Sequence, residues 1–235
     1  MMPEIIPIKR LELALAPRPW PFADKRRDEI VRHFDKLREA KPALWNGRIL
    51  LLHRHAIADG VFRGAYFETD YASFIAWRDW GFPDASVRNC FSLGALRGAD
   101  GGFLLGVMSA HTLNAGKIYF PAGTPDPADI ADGMVDLAGS IRREVAEETG
   151  LEPDHYDAED TWTCVRTATH IAQIKLLHAR ESATALRERI LANLARERQP
   201  ELADIHIAHG PADLDPMMPP FITTFLNHFW SRAQS

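Results

Sequence analysis

Apolar residues recur along the chain with two periods, and the alternation between them predicts the elements. Over residues 24–40, Ile30, Val31, Phe34 and Leu37 fall at helical spacing, which predicts a helix capped by Asp24 and stopped by Pro42. Pro3, Pro7, Pro17, Pro19 and Pro21 interrupt any period before it, so the start reads as an extended arm with an edge strand over 5–15. After the Asn46-Gly47 turn, residues 48–53 read as a buried strand, and the Asp59-Gly60 turn predicts a hairpin return over 56–69. Asp70 then caps a helix carrying Phe74, Ile75 and Trp77 and ending by Gly81. Two strands follow, 90–97 and 103–108, joined by the glycine-rich turn 98–102, and then a short strand over 117–120.

Residues 124–133 are rich in Asp and Pro and read as loop. A helix capped by Asp136 should run to Thr149 and close on Gly150 in the left-handed C-terminal position. Beyond it, 162–179 reads as strand, 182–198 as an amphipathic helix, 205–208 as a short strand and 221–230 as a last helix.

Composition narrows the function classes. With 235 residues, 46% of them hydrophobic, the chain can bury a substantial core, as one domain with an elaboration or as two small domains. The 27 Lys and Arg against 32 Asp and Glu leave a net charge of −5 and no long basic run, which argues against nucleic acid as a partner. No apolar stretch reaches the ~20 residues of a membrane helix, so a membrane is not expected as a partner either. Cys90 and Cys164, the only cysteines, give no disulfide framework and no Cys-rich zinc site, and a reducing cytoplasm is expected.

The segment with the most chemistry is Arg143-Glu144-Val145-Ala146-Glu147-Glu148-Thr149-Gly150. At ~100° per residue, Glu144, Glu147 and Glu148 fall on one helix face. Three like charges so placed repel, and their position near a helix C-terminus runs against the dipole. Mg2+ or Mn2+, which prefer oxygen ligands, would relieve both conflicts. A bare triplet of glutamates is also what a solvated acidic helix with local Arg–Glu pairs would show.

This stretch, with Leu151 after it, resembles the second half of the Nudix box: Arg-Glu, apolar, any, Glu-Glu, any, Gly, apolar. Phe120-Pro121-Ala122-Gly123 looks like the strand-to-loop lead-in of the same family. The resemblance implies an α/β fold, an α/β/α sandwich with a mixed sheet, that uses divalent metal to hydrolyse a diphosphate bond in a nucleoside diphosphate linked to another moiety. By position it implies Glu144, Glu147 and Glu148 as metal ligands and catalytic residues, and Arg143 as the internal salt-bridge partner that orients the box. It covers roughly residues 89–179, which leads us to expect an N-terminal extension over 1–88 packed on a catalytic domain over 89–235.

The first half of the box departs from the pattern. Eight residues before Arg143 the family carries a Glu and this chain has Val135; six further back it carries a Gly and this chain has Asp129. If Gly123 is the equivalent glycine, residues 124–133 hold an insertion and Asp132 or Asp136 must replace the missing carboxylate, although Asp136 is equally a helix cap. The departure keeps a second reading open, a nucleotide-binding or sensor module that has lost hydrolysis.

Glu144 and Glu148 are also candidates for the general base, alongside Glu181, Asp213 and Asp215. Lys117 and Arg97 are cations that could meet a phosphate. His53, His55, His206 and His209 lack a third ligand at metal spacing and read as structural, and Tyr66, Phe67, Trp77 and Trp80 read as core aromatics rather than a base-stacking platform. The proline-rich arm is a candidate for exchange between subunits of a homodimer.

Overall fold

The structure, a computed structural model, describes residues 3–42 and 44–233. The chain folds as two compact units, one made of residues 1–9, 91–123 and 137–235 and the other of 10–90 and 124–136. The expected single boundary near residue 88 is thus replaced by an interleaved division: the first strand goes with the C-terminal unit, and the segment before the Arg-Glu helix goes with the N-terminal one.

The 10–90 unit is built on a five-stranded sheet. It contains β2 (Arg10–Leu15), α1 (Pro21–Lys25), α2 (Arg27–Ala40), β3 (Arg48–Ala58), β4 (Val61–Asp70), α3 (Tyr71–Asp79), β9 (Ile130–Ala131) and β10 (Met134–Val135), with strand order β3-β4-β2-β10-β9. Asp59 and Gly60 both take positive φ (55° and 77°), as a two-residue turn between right-twisted strands requires. The Asp70 carboxylate accepts the Ser73 amide at 2.9 Å and starts α3 as its sequence position predicts.

The expected helix over 24–40 is broken at Arg26, and Asp24 lies inside the short α1 instead of capping α2. Residues 124–133, read as loop, contain a 3-10 turn (Pro127–Asp129) and half of the β9–β10 hairpin, whose turn residues Asp132 and Gly133 have φ of 51° and 75°. Met134 of β10 pairs with Ala14 of β2.

The other unit holds β1 (Glu4–Ile8), β5 (Asn89–Arg97), β6 (Phe103–Met108), β7 (Ile118–Tyr119), β8 (Ala122–Gly123), α4 (Leu137–Thr149), β11 (Tyr156–Ala158), β12 (Trp162–Arg166), β13 (His170–Ala179), α5 (Ala183–Leu194), β14 (Leu202–Ala208) and α6 (Pro220–Ala233). Its nine-stranded sheet follows the path β1-β12-β13-β5-β6-β14, with β8 beside β5, β7 beside β6 and β11 beside β13. The arm expected as one edge strand is two strands in two sheets, because β1 pairs antiparallel with β12 (Ile5 opposite Val165) while β2 runs parallel to β4.

Side-chain alternation along β5 divides the two faces of this sheet. Phe91, Leu93 and Ala95 join Ile222, Phe225, Leu226 and Trp230 of α6 in one apolar core. Gly94 points the other way, toward α4, and a Cβ there would stand 2.8–3.1 Å from Leu177, Val145 and Ile141. The helix approaches the sheet that closely because this position lacks a side chain. With α5 beside α4 and α6 on the opposite face, the unit is an α/β/α sandwich.

Both cysteines are free and buried, and burial pushes the Cys164 thiol up to about 12. Among the described residues no helix is long and apolar enough to cross a membrane.

Candidate active site

Leu137, Ile141 and Val145 recur every four residues along α4 and are buried, so one stripe of the helix is fixed against the sheet. Gly150 ends it at φ 72°, its amide bonding the Ala146 carbonyl at 2.9 Å, and the fully buried Leu151 anchors the exit. With the helix so oriented, Glu144 and Glu148, one turn apart, share a flank that meets the β8 backbone. The Ala122 amide donates to Glu148 Oε1 at 3.3 Å, and a Cβ on Gly123 would fall 2.1 Å from Glu144 Oε1.

The three glutamates differ in exposure. Glu148 is only 5% exposed, whereas the side chains of Glu144 and Glu147 are 15% and 62% exposed. The sequence pattern had placed all three on one solvent-facing surface; the turn that brings Glu148 against β8 removes it from water. Arg143 Nη1 donates to Glu144 Oε1 at 2.9 Å and to Glu147 Oε2 at 3.4 Å, so this one guanidinium holds two of the carboxylates.

Burial pushes the Glu148 carboxyl well above the usual range, and the charges of Glu201, Glu144 and Glu147 add to the shift against the Ala122 amide. Glu201, just before β14, is raised as well, by burial first and by Glu147, with His111 opposing. Sequence reasoning missed Glu201 because it lies in a polar stretch without a local signature, and only the sheet order brings it to this acidic cluster. Among the described residues, no group of three or more His, Cys, Asp or Glu side chains is arranged to hold a metal ion. Arg143 draws two glutamates to itself, while Glu148 turns to an amide.

The other candidates fall elsewhere. Asp132 is exposed at the tip of the β9–β10 hairpin, Asp136 is exposed with its amide on the Asp129 carbonyl at 2.8 Å, and Val135 is buried in β10 opposite Ile130. Glu181 pairs with Arg189 at 3.0 Å. Asp213 accepts the His209 and Gly210 amides and Asp215 the Met217 amide, so both shape turns. Arg97 donates to the Gly101 carbonyl and lies over Phe229, while Lys117 is exposed.

His53 sits at the bulge of β3 within 3.2 Å of the Ala16 carbonyl, His55 stacks on Phe62, and His206 meets the Asp213 carbonyl at 2.8 Å. Gly102 packs beside His209, where a Cβ would approach its ring to 2.7 Å. Tyr66, Phe67 and Trp77 are buried core residues as expected, and Trp80, half-buried, lies under the Arg26 guanidinium at 3.9 Å.

No protein-family model and no curated protein matches the sequence. Solved structures do match. A Nudix hydrolase from M. smegmatis, RenU, is 16% identical over 62% of this chain and 84% of its own, with a TM-score of 0.40. The MutT protein from Methanosarcina mazei Go1 is 16% identical over 63% of this chain and 96% of its own, with a TM-score of 0.36.

Proposed function

We propose that the chain is a divalent-metal-dependent hydrolase of a phosphoanhydride bond, acting on a small nucleoside diphosphate-linked substrate. The observation that carries this reading is the meeting of the box-like helix end with the Phe120–Gly123 segment. Two stretches singled out separately in the sequence converge at Glu144 and Glu148, where Gly123 leaves room for one carboxylate and the Ala122 amide fixes the other.

Mg2+ or Mn2+ fits this donor set by its chemistry, since hard oxygen donors crowd together and Arg143 pairs with two of them. Glu144, Glu147 and Glu148 would hold it. Such an ion, when bound, supplies polarisation of a phosphoryl oxygen and a more acidic water. Arg143 positions Glu144 and Glu147, and Glu201, exposed beside the cluster with its carboxyl raised, is suited to accept and hold a proton.

A second reading, a nucleotide-binding or sensor module without hydrolysis, is favoured by Val135, which occupies a buried sheet position where the family carries a carboxylate. The test is a phosphate-release screen over nucleotide sugars, dinucleotides, coenzyme A and oxidised nucleoside triphosphates with Mg2+ and Mn2+, run beside Glu148→Gln. Hydrolysis lost in the variant supports the enzyme. Nucleotide binding that needs no metal, with no release from any substrate, supports the sensor.

A further inference from the structure

Where α4 packs on the nine-stranded sheet, two hydroxyls lie beside the acidic cluster. Ser92 and Ser140 are 0% exposed, and neither Oγ has a hydrogen-bond partner. A buried hydroxyl left so costs stability, and buried polar groups of this kind are the ones that ordered water satisfies.

Backbone geometry directs both hydroxyls toward Glu144. Ser140 precedes Glu144 by four residues in α4, one turn away on the same flank. Its hydroxyl does not turn back to the carbonyl four residues earlier, as that of Thr149 in the same helix does to Val145. Ser92 lies directly opposite Gly123 in the antiparallel β5–β8 pair, so its side chain stands on the face that a Gly123 side chain would occupy. A Cβ on Gly123 would lie 2.1 Å from Glu144 Oε1, and facing Cβ atoms in such a pair are ~4.5–5.5 Å apart. The hydroxyls thus flank one carboxylate, from the helix and from the strand, at a spacing that a water molecule spans. A buried water makes about three hydrogen bonds, and two hydroxyls with a carboxylate supply that number. An ionised carboxylate accepts up to about four, so Glu144 can take a water in addition to Arg143.

We propose that Ser92 and Ser140 hold a buried water against Glu144 and are positioning residues for that carboxylate. A carboxylate kept in one orientation binds a divalent cation more tightly than one free to turn. The water site rests on the packing alone, and the positioning role rests on the metal-dependent reading above.

The test has three readouts on the full chain. A high-resolution crystal structure grown with a chelator should show a water within hydrogen-bond reach of both Oγ atoms and the Glu144 carboxylate. Ser92→Ala and Ser140→Ala should each lower the melting midpoint of the metal-free protein, because each takes a partner from the water. Both should also weaken Mn2+ about tenfold, read from the free-ion signal in electron paramagnetic resonance and so without any substrate. Oγ atoms in dry contact with apolar neighbours, or a raised midpoint in both variants, would overturn the water site. Unchanged Mn2+ affinity in both variants would overturn the positioning role. Wild-type protein that shows the water but binds no Mn2+ would overturn the metal reading, and the positioning role with it.

Discussion

Residues 120–123 and 137–151 lie in the nine-stranded unit and bring Glu144 and Glu148 to the Gly123 backbone, whereas 124–136, which join them in the chain, add two strands to the sheet of the other unit. The first set is organised around charge, with buried and half-buried carboxylates, an arginine and a missing side chain. The second is organised around sheet pairing, with Val135 buried, the buried Asp129 carboxylate accepting the Asp126 amide and a left-handed two-residue turn. The contrast teaches that Val135, eight residues before Arg143, serves packing. Any further carboxylate at the cluster must come from elsewhere, and Glu201 answers that need.

Four substitutions test this division, the largest effect first. Glu148→Gln should cut metal-dependent turnover by about 10³-fold, ~4 kcal/mol of transition-state stabilisation, while circular dichroism shows a folded protein; turnover near wild type would sink the assignment. Val135→Glu, which places a carboxylate eight residues before Arg143, should destabilise by about 3 kcal/mol or more, since it buries a charge without a partner. A denaturant melt measures this, and a stable variant with faster turnover would mean that Val135 belongs with the glutamates.

Gly123→Ala should displace the Glu144 carboxylate and lower turnover by about 100-fold with little change in the melt, because the group it strikes is a flexible side-chain end. Equal losses of stability and activity would make Gly123 a folding residue instead. The smallest effect is expected at Asp70. Burial raises its carboxyl, but the Ser73 amide and hydroxyl and the Arg27 guanidinium outweigh it and leave the group below the usual carboxylate range. A depressed acid stabilises the fold above its unfolded pKa and loses that contribution as pH falls through the folded value. Asp70→Ala should therefore cost about 1 kcal/mol at neutral pH, and the gap from wild type should narrow on acidification. A constant gap would assign the whole effect to packing.

The sequence was informative where a residue's role depends on its near neighbours. Asp59-Gly60 and Gly150 need positive φ, Asp70 finds its partner three residues on, and the Arg143–Leu151 spacing sets the face of one helix. It was silent where the partner is distant. Nothing local distinguishes Ile5, bound for one sheet, from Leu13, bound for the other. The two-residue strands of the β9–β10 hairpin are too short to show alternation, although Asp132-Gly133 has the composition of a hairpin turn. Burial of Glu148 and the arrival of Glu201 both depend on strands placed by the whole fold.

The pairing of β1 with β12 has a consequence for synthesis. Ile5 emerges from the ribosome 160 residues ahead of its partner Val165, a delay of roughly 10–30 s at ordinary translation rates. Through that interval the strand is an unpaired apolar ribbon, and in the finished protein it remains at the end of the sheet path. Pro7, which has no amide hydrogen to offer a neighbour, and the charged Glu4 make that ribbon a poor template for another nascent chain.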